Sequence, residues 1–311
     1  MIIKFINSIS SVVVGVKNMD VALDLWISTF GFEILEQRIG ADPDLSKLWG
    51  LDKDEITHQT LVATPNMKVG MLHFVEFKNP SIEVRESASS TDLGPKNLDI
   101  TCRELPARYD ELLSKGHQFR SKYINYRIEA IDADVIEVQM PGHDSTNIIF
   151  MEWLGEKITL SGQGYGGITS LVTVVPDLDV EAEFYQSVFG LKETIHEDLF
   201  GPHVEAMIGL PKGGGLVLKL LEGDETDRYG RVELVNYVGA DEQVDRYKIA
   251  KPPALGTLHC NFRTDSIDAF GDKLDQIGIE SIFNENLDLI HGKSSTYSIW
   301  TPAGLRIDVM Q

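Results

Sequence analysis

Ionisable side chains interrupt four apolar, strand-like runs of this 311-residue chain: His73 in MLHFVEF, Lys219 in GLVLKLL, His259 in TLHCNF and Asp308 in GLRIDVM. Alternation along the last run places Arg306, Asp308 and Met310 on one face and Ile307 and Val309 on the other. Apolar surroundings shift the pKa of such groups and make proton transfer near neutral pH feasible. Imidazole, ammonium and carboxylate together are the equipment of general acid–base chemistry. Each also has a plainer reading, as an edge acid facing water, a snorkelling lysine or a packed histidine. The elements that carry them decide between the two.

Those elements recur. Ser11–Gly31, SVVVGVKNMDVALDLWISTFG, aligns with Ser170–Gly190, SLVTVVPDLDVEAEFYQSVFG. The two share Ser11/Ser170, Val13/Val172, Val16/Val175, Asp20/Asp179 and Phe30/Phe189 among other positions. Each copy reads as a β-branched run, a polar turn and an amphipathic helix; Val180, Phe184 and Val188 recur at helical spacing, and Gly190 ends the helix. A fainter copy relates Asn97–Gly116 to His259–Gly278. Further strand-like runs follow each strand–helix unit. The pattern predicts an α+β protein of four βαβββ modules, at 8–80, 94–154, 165–225 and 250–311. It predicts a first domain at 1–155 and a second at 165–311, joined near 155–164.

Gly162, Gly164 and Gly167 satisfy G-x-G-x-x-G, but a dinucleotide site needs a helix next and a strand is expected here, so the run reads as a linker. The acid-dense EGDETD lacks calcium-loop spacing and reads as a solvated loop. Twenty-eight basic against forty-eight acidic residues give a formal charge of −20, which argues against nucleic acid and anionic membranes as partners. No uninterrupted apolar run is long enough to span a bilayer, and the apolar N-terminus reads as a first strand, not a signal peptide. Cys102 and Cys260, far apart in sequence, suit a reduced, cytoplasmic setting. A small-molecule substrate is the expected partner, with a homo-oligomer left open.

VVPDLDVEAEFYQSVFGL (Val174–Leu191), with VKNMDVALDLWISTFGF as a looser copy, resembles the vicinal oxygen chelate superfamily of glyoxalases, bleomycin-resistance proteins and extradiol dioxygenases. The module count is similar to that of the two-domain dioxygenases. The resemblance implies that module pairs curl into cups, with metal ligands at the start of each first strand and the middle of each last strand. Carried onto this chain, the first-strand positions are Ser11, Asn97, Ser170 and His259, and the last-strand positions His73, Ile149, Lys219 and Asp308. It thus implies a working C-terminal cup with His259, Asp308, Lys219 and His291 as catalytic candidates. Ser170, His203 and Ser298 are the substrate-binding candidates, with His196 in the same expected loop as His203. His259 and Asp308 would be ligands if a weakly bound divalent metal is present. The N-terminal cup, with Ser11, His73, Asn97 and Ile149, is expected to be inactive. Ser170 stands where the family keeps a second histidine, and Ser298 where it keeps a tyrosine. Those departures favour lyase- or isomerase-type acid/base chemistry on a small oxygenated, aromatic molecule over ring cleavage. Two alternatives stay open: a metal-dependent dioxygenase- or glyoxalase-like enzyme with an altered metal shell, and a non-catalytic binding protein.

Overall fold

The computed structural model describes residues 5–155, 159–224, 228–240 and 242–311. The first module holds β1 (Phe5–Val16), α1 (Met19–Leu23), β2 (Glu33–Ile39), α2 (Pro43–Trp49), β3 (Ile56–Ala63) and β4 (Met71–Phe77). The second holds β5 (Gly94–Cys102), α3 (Leu105–Ser114), β6 (Ile124–Ile128), β7 (Ala133–Pro141) and β8 (Asn147–Trp153). The third holds β9 (Tyr165–Val174), α4 (Leu178–Phe189), β10 (Lys192–Phe200), α5 (Pro202–Ile208), β11 (Gly215–Glu222) and β12 (Arg231–Val238). The fourth holds β13 (Gly256–Thr264), α6 (Ile267–Ile277), β14 (Ile282–Leu289), β15 (Gly292–Trp300) and β16 (Arg306–Met310). The α+β class and the four βαβββ modules are therefore as the repeat predicts.

Local chemistry explains the helix boundaries. Asp177 caps α4 through its carboxylate, and Gly190 closes it at φ +70°, a conformation that suits glycine. Phe184 and Val188 are buried, but Val180 is exposed and Glu181 takes a place on the inner face, where Oε2 accepts a hydrogen bond from Ala303 N. The glycine run at 162–167 leads straight into β9, a strand and not a helix. Residues 156–158 of the expected linker and 225–227 of EGDETD lie outside the described residues. Cys102 and Cys260 are buried and unpaired.

The pairing of modules corrects the sequence expectation. One eight-stranded sheet runs β14-β15-β16-β13-β1-β4-β3-β2, so the fourth module joins the first. The other runs β10-β11-β12-β9-β5-β8-β7-β6, joining the third to the second. The first strands do the joining: β1 pairs antiparallel with β13, and β5 with β9. Similar modules offer similar edges, and a repeat pattern does not say which edge meets which. A second correction follows from strand count. The third module ends on β12, beyond residue 225, so its last-strand position is not on β11.

The sheets meet in a ring of backbone hydrogen bonds. Gly70 N donates to Ile9 O (2.9 Å), Ile9 N to Gly230 O (2.7 Å), Gly230 N to Ile168 O (2.9 Å) and Ile168 N to Gly70 O (3.3 Å). Ile9 and Ile168 hold equivalent places in the two copies of the repeat. Both glycines have positive φ, +62° and +71°, and a Cβ would lie 2.4 Å from Ile168 O at Gly70 and 2.5 Å from Ile9 O at Gly230. On the faces between the sheets, helices and strands share one apolar core, in which Trp26, Phe30 and Phe150 join Phe189, Phe262 and Phe270.

The register across β1 and β13 places Val12 opposite Cys260. Directly opposed antiparallel residues lie within disulfide reach. A Val12→Cys variant refolded under oxidising conditions should therefore show, in peptide mapping, a disulfide between the introduced thiol and Cys260, with Cys102 left free. A bridge to Cys102 instead would mean that the first module pairs with the second.

Candidate functional site

Register defines four equivalent positions in each cup. On the last strand of each module, the position of interest pairs with the residue two beyond the first-strand position: Val13 with His73, Asn261 with Asp308, Asp99 with Ile149 and Val172 with Glu233. The first cup, from modules one and four, thus presents Ser11, His73, His259 and Asp308. The second, from modules two and three, presents Asn97, Ile149, Ser170 and Glu233. Lys219 is displaced from this set. Leu218 and Leu220 line the second cup, and the pleat turns Lys219 to the other face. There it pairs with Asp179 at 2.7 Å and Glu193 at 3.0 Å, an ion-pair cluster outside the cup.

The structure brings His259, Asp308, His291 and Ser298 together as expected, and adds Ser11 and His73, which the sequence assigned to a different cup. Ser170 lies in the second cup. His196 is on β10 and His203 on α5, where loop was expected, and both are exposed. His203 packs its ring against Gly201.

The first cup is filled by its own chain. Trp49, at the end of α2, donates from Nε1 to Asp308 Oδ2 at 3.1 Å and lies edge-on to His259 with centroids 5.3 Å apart. Asp42 caps α2 and accepts from Gln59, whose Oε1 bonds His73 Nε2 at 3.0 Å, so the helix is tied to the cup floor. Ser298 Oγ and Arg306 Nε hold Asp308 Oδ1 at 2.6 and 2.9 Å. Burial works to raise this carboxyl's pKa, but Arg306, then His259 and Ser298, outweigh it and hold the group well below the usual range. His259 Nε2 lies 3.4 Å from Asp308 Oδ2 without hydrogen-bond alignment. Burial keeps the imidazoles neutral: His73 falls well below the ordinary value, His259 is lowered, and His291 is pushed down to about 3, Arg263 and Arg38 adding to the effect.

The metal that the fold family implies does not fit either cup. In the first, Asp308 has both oxygens occupied, with a guanidinium on one and an indole on the other, and Trp49 stands against His259. In the second, Glu233 is joined by an amide, a hydroxyl and the apolar Ile149. Among the described residues no three His, Cys, Asp or Glu side chains converge as a metal requires.

The second cup is hollow. Its free volume is about 50 Å³, enough for a small group at its centre. One wall is apolar, with Met151, Trp153, Ile195, Met207, Leu216 and Leu218. The other holds ionisable groups that sequence reasoning missed: Lys96, Asp99, Glu137 and Tyr237, which are buried, and Tyr126 and Glu233, which are half-buried. A bulge between Pro95 and Asn97 explains Lys96. The extra residue lets Lys96 face inward beside Asn97, as bulges near functional sites do. Tyr126 donates to Glu137 Oε2 at 2.5 Å, and Lys96 Nζ donates to Tyr237 at 2.5 Å. Burial, with Glu233 adding to it, pushes Glu137 up to about 7 against the pull of Tyr126 and Lys96. Burial, then the charges of Arg85 and Arg120, pushes Lys96 down to about 7. Burial also raises Asp99 and Glu233, which share one region and cannot both be charged at ordinary cost. RVELVNYV, Arg231–Val238, was the available signal. Its alternation places Arg231, Glu233 and Tyr237 on one face of a fourth strand that the module boundary at 225 cut away.

Solved structures share this architecture. Glyoxalase I from Zea mays aligns over 98% of this chain and 92% of its own, with a TM-score of 0.64 at 12% identity. A putative dioxygenase from Bacillus subtilis aligns over 99% and 86%, with a TM-score of 0.61 at 10% identity. The chain has the vicinal oxygen chelate fold. No family model matches the sequence, and no curated protein sequence does. Among the described residues no helix is long and apolar enough to cross a membrane.

Asp308 is a lock in this fold. Asp308→Asn leaves Arg306 without its counter-charge inside the protein and should cost about 3–5 kcal/mol in urea unfolding. The depressed carboxyl contributes stability above its unfolded value of about 4, and that stability is lost as pH falls through the lower folded value. The acid limb of a stability–pH curve should therefore flatten in the Asn variant. A loss under about 1 kcal/mol, the ceiling for an exposed pair, would show that the Arg306–Asp308 pair is not a lock.

Proposed function

We propose that this protein is an acid–base enzyme working in its second cup, moving a proton on a small, largely apolar molecule that carries an oxygen function. The observation that supports it most is the pairing of Glu137 and Lys96 in one cavity, a buried carboxyl and a buried ammonium that both titrate near neutrality. Groups poised near the working pH are the most effective proton carriers. Tyr126 fixes the Glu137 carboxyl through its hydroxyl, and Tyr237 does the same for Lys96. The apolar wall suits an aromatic or aliphatic body.

The step follows from these roles. The Glu137 carboxylate takes a proton from a carbon next to a carbonyl, breaking that C–H bond and leaving its electron pair in an enolate. The Lys96 ammonium faces the developing oxygen charge and lends it a proton. Where a neighbouring C=C extends the enolate, return of the Glu137 proton to the far carbon shifts the double bond, and the oxygen's proton goes back to Lys96, completing an isomerisation. Loss of a group from the neighbouring carbon completes an elimination. The apolar wall limits water, which strengthens both interactions.

Deuterium wash-in next to the carbonyl of small aryl ketones and aldehydes, followed by NMR in D₂O, tests this. Glu137→Gln should lower the exchange rate by about 10²–10⁴-fold with the melting temperature kept. The wild-type rate should be bell-shaped in pH around 7. It falls on the acid side as Glu137 gains its proton, and on the basic side as Lys96 loses its own. Tight binding of such compounds without exchange would favour a binding protein instead.

A further inference from the structure

A second recess adjoins the second cup and shares Lys96 and Gln139 with it. Its free volume is about 300 Å³. Three cations converge on it: Lys96, Arg85 and Arg120. Among the described residues none of the three forms an ion pair. Arg85 donates to the backbone carbonyls of Asp92 (3.2 Å) and Ser89 (2.7 Å), Arg120 Nε to the amide oxygen of Asn147 (2.9 Å), and Lys96 to the Tyr237 hydroxyl. The nearby acids are already engaged. Asp92 is held by Arg246 at 2.8 Å, and Glu83 accepts from Ser145. Glu137 and Asp99 face Lys96 from the cup without bonding it, while Arg85 and Arg120 spend their bonds on neutral carbonyl and amide oxygens, so a bound anion would supply the counter-charge that these two lack.

The recess also has the right donors. Arg120 is exposed and uses Nε on Asn147, which leaves its terminal nitrogens for a planar oxyanion. Ser90 adds a hydroxyl at the rim. Asn147 Nδ2 also donates to Asn97 and Gln139, linking the recess to the cup floor.

We propose that the ligand of the second cup carries an oxyanion, a carboxylate or a phosphate, which seats in this recess against Arg85, Arg120 and Lys96 while the apolar body fills the cup. The proposal rests on the second cup being the ligand site and names the class of its ligand. The anion neutralises charge that otherwise bears on Lys96, so binding of the correct ligand also favours the protonated amine.

Calorimetric titration of the full chain with phenylacetate, phenyl phosphate and the neutral 2-phenylacetamide tests it. A charge-assisted contact of this kind corresponds to about 10- to 100-fold in affinity. The expected result is an anion bound at least tenfold more tightly than the amide; whichever acid is preferred identifies carboxylate or phosphate. Arg120→Met should erase most of the preference and Arg120→Lys keep part of it, with circular dichroism showing both variants folded at the temperature of the titration. The preference is read by binding alone, so an Arg120-dependent preference for the acids in a protein that shows no deuterium exchange would uphold this proposal while rejecting the proton-transfer reading. Equal affinities for acid and amide, a preference that survives Arg120→Met, or no binding of any probe at millimolar concentration would overturn it.

Discussion

Four backbone hydrogen bonds, closed into a ring through Ile9, Gly70, Ile168 and Gly230, hold the two sheets against each other. Each donor and acceptor belongs to a strand or turn beside the sheet centre, and each is buried, so a missing bond would leave an unpaired polar group in the interior. The ring demands glycine at two positions, because a Cβ would strike a carbonyl oxygen. The ring ties β1 to the turn before β12 and β9 to the turn before β4. β1 takes β13 as its antiparallel partner and β9 takes β5, and β13 and β5 also meet between the sheets.

The cups share a backbone and differ in what fills them. In the first, α2 delivers Trp49 against His259 and Asp308, and the polar groups spend their hydrogen bonds on one another. Asp308 is held ionised by Arg306, and the imidazoles are neutral. That arrangement is suited to rigidity. In the second cup, the equivalent short helix, α5, packs Val204, Met207 and Ile208 against the wall and leaves the centre open. Its ionisable groups are buried without full compensation, which is costly for stability and is the usual mark of a site that handles protons or charge. The contrast between a satisfied cup and an unsatisfied one is the physical basis for assigning the chemistry to the second.

Much of the fold was legible. The repeat from Ser11 to Ser170 marked matching strands and helices, the caps at Asp177 and Gly190 follow from residue type, and alternation placed Asp308 and Arg306 on one face of β16 with Ile307 and Val309 on the other. The site was legible only in part. His259, Asp308, His291 and Ser298 do meet, because all four belong to one module and its local register fixes them. Ser170 does not join them because the third module pairs with the second and not with its neighbour, the fourth, and Lys219 faces away from both cups on a strand that is not the last of its module. Lys96 was invisible as an inward residue, because a bulge breaks the alternation that would otherwise face it out. Glu137 looked like an ordinary strand carboxylate until Tyr126, Glu233 and Lys96 surrounded it.

Sequence by itself determined the modules: hydrophobic period, caps and turn glycines act over a few residues and are written in order along the chain. Tertiary structure alone decided which modules share a sheet, which cup is filled by Trp49 and which stays open, and where charge is stripped of water. Those outcomes depend on contacts between residues more than a hundred positions apart, such as Trp49 with Asp308 and Lys96 with Tyr237. Similar strand edges make several such pairings equally compatible with the pattern, and only the packed backbone selects one of them.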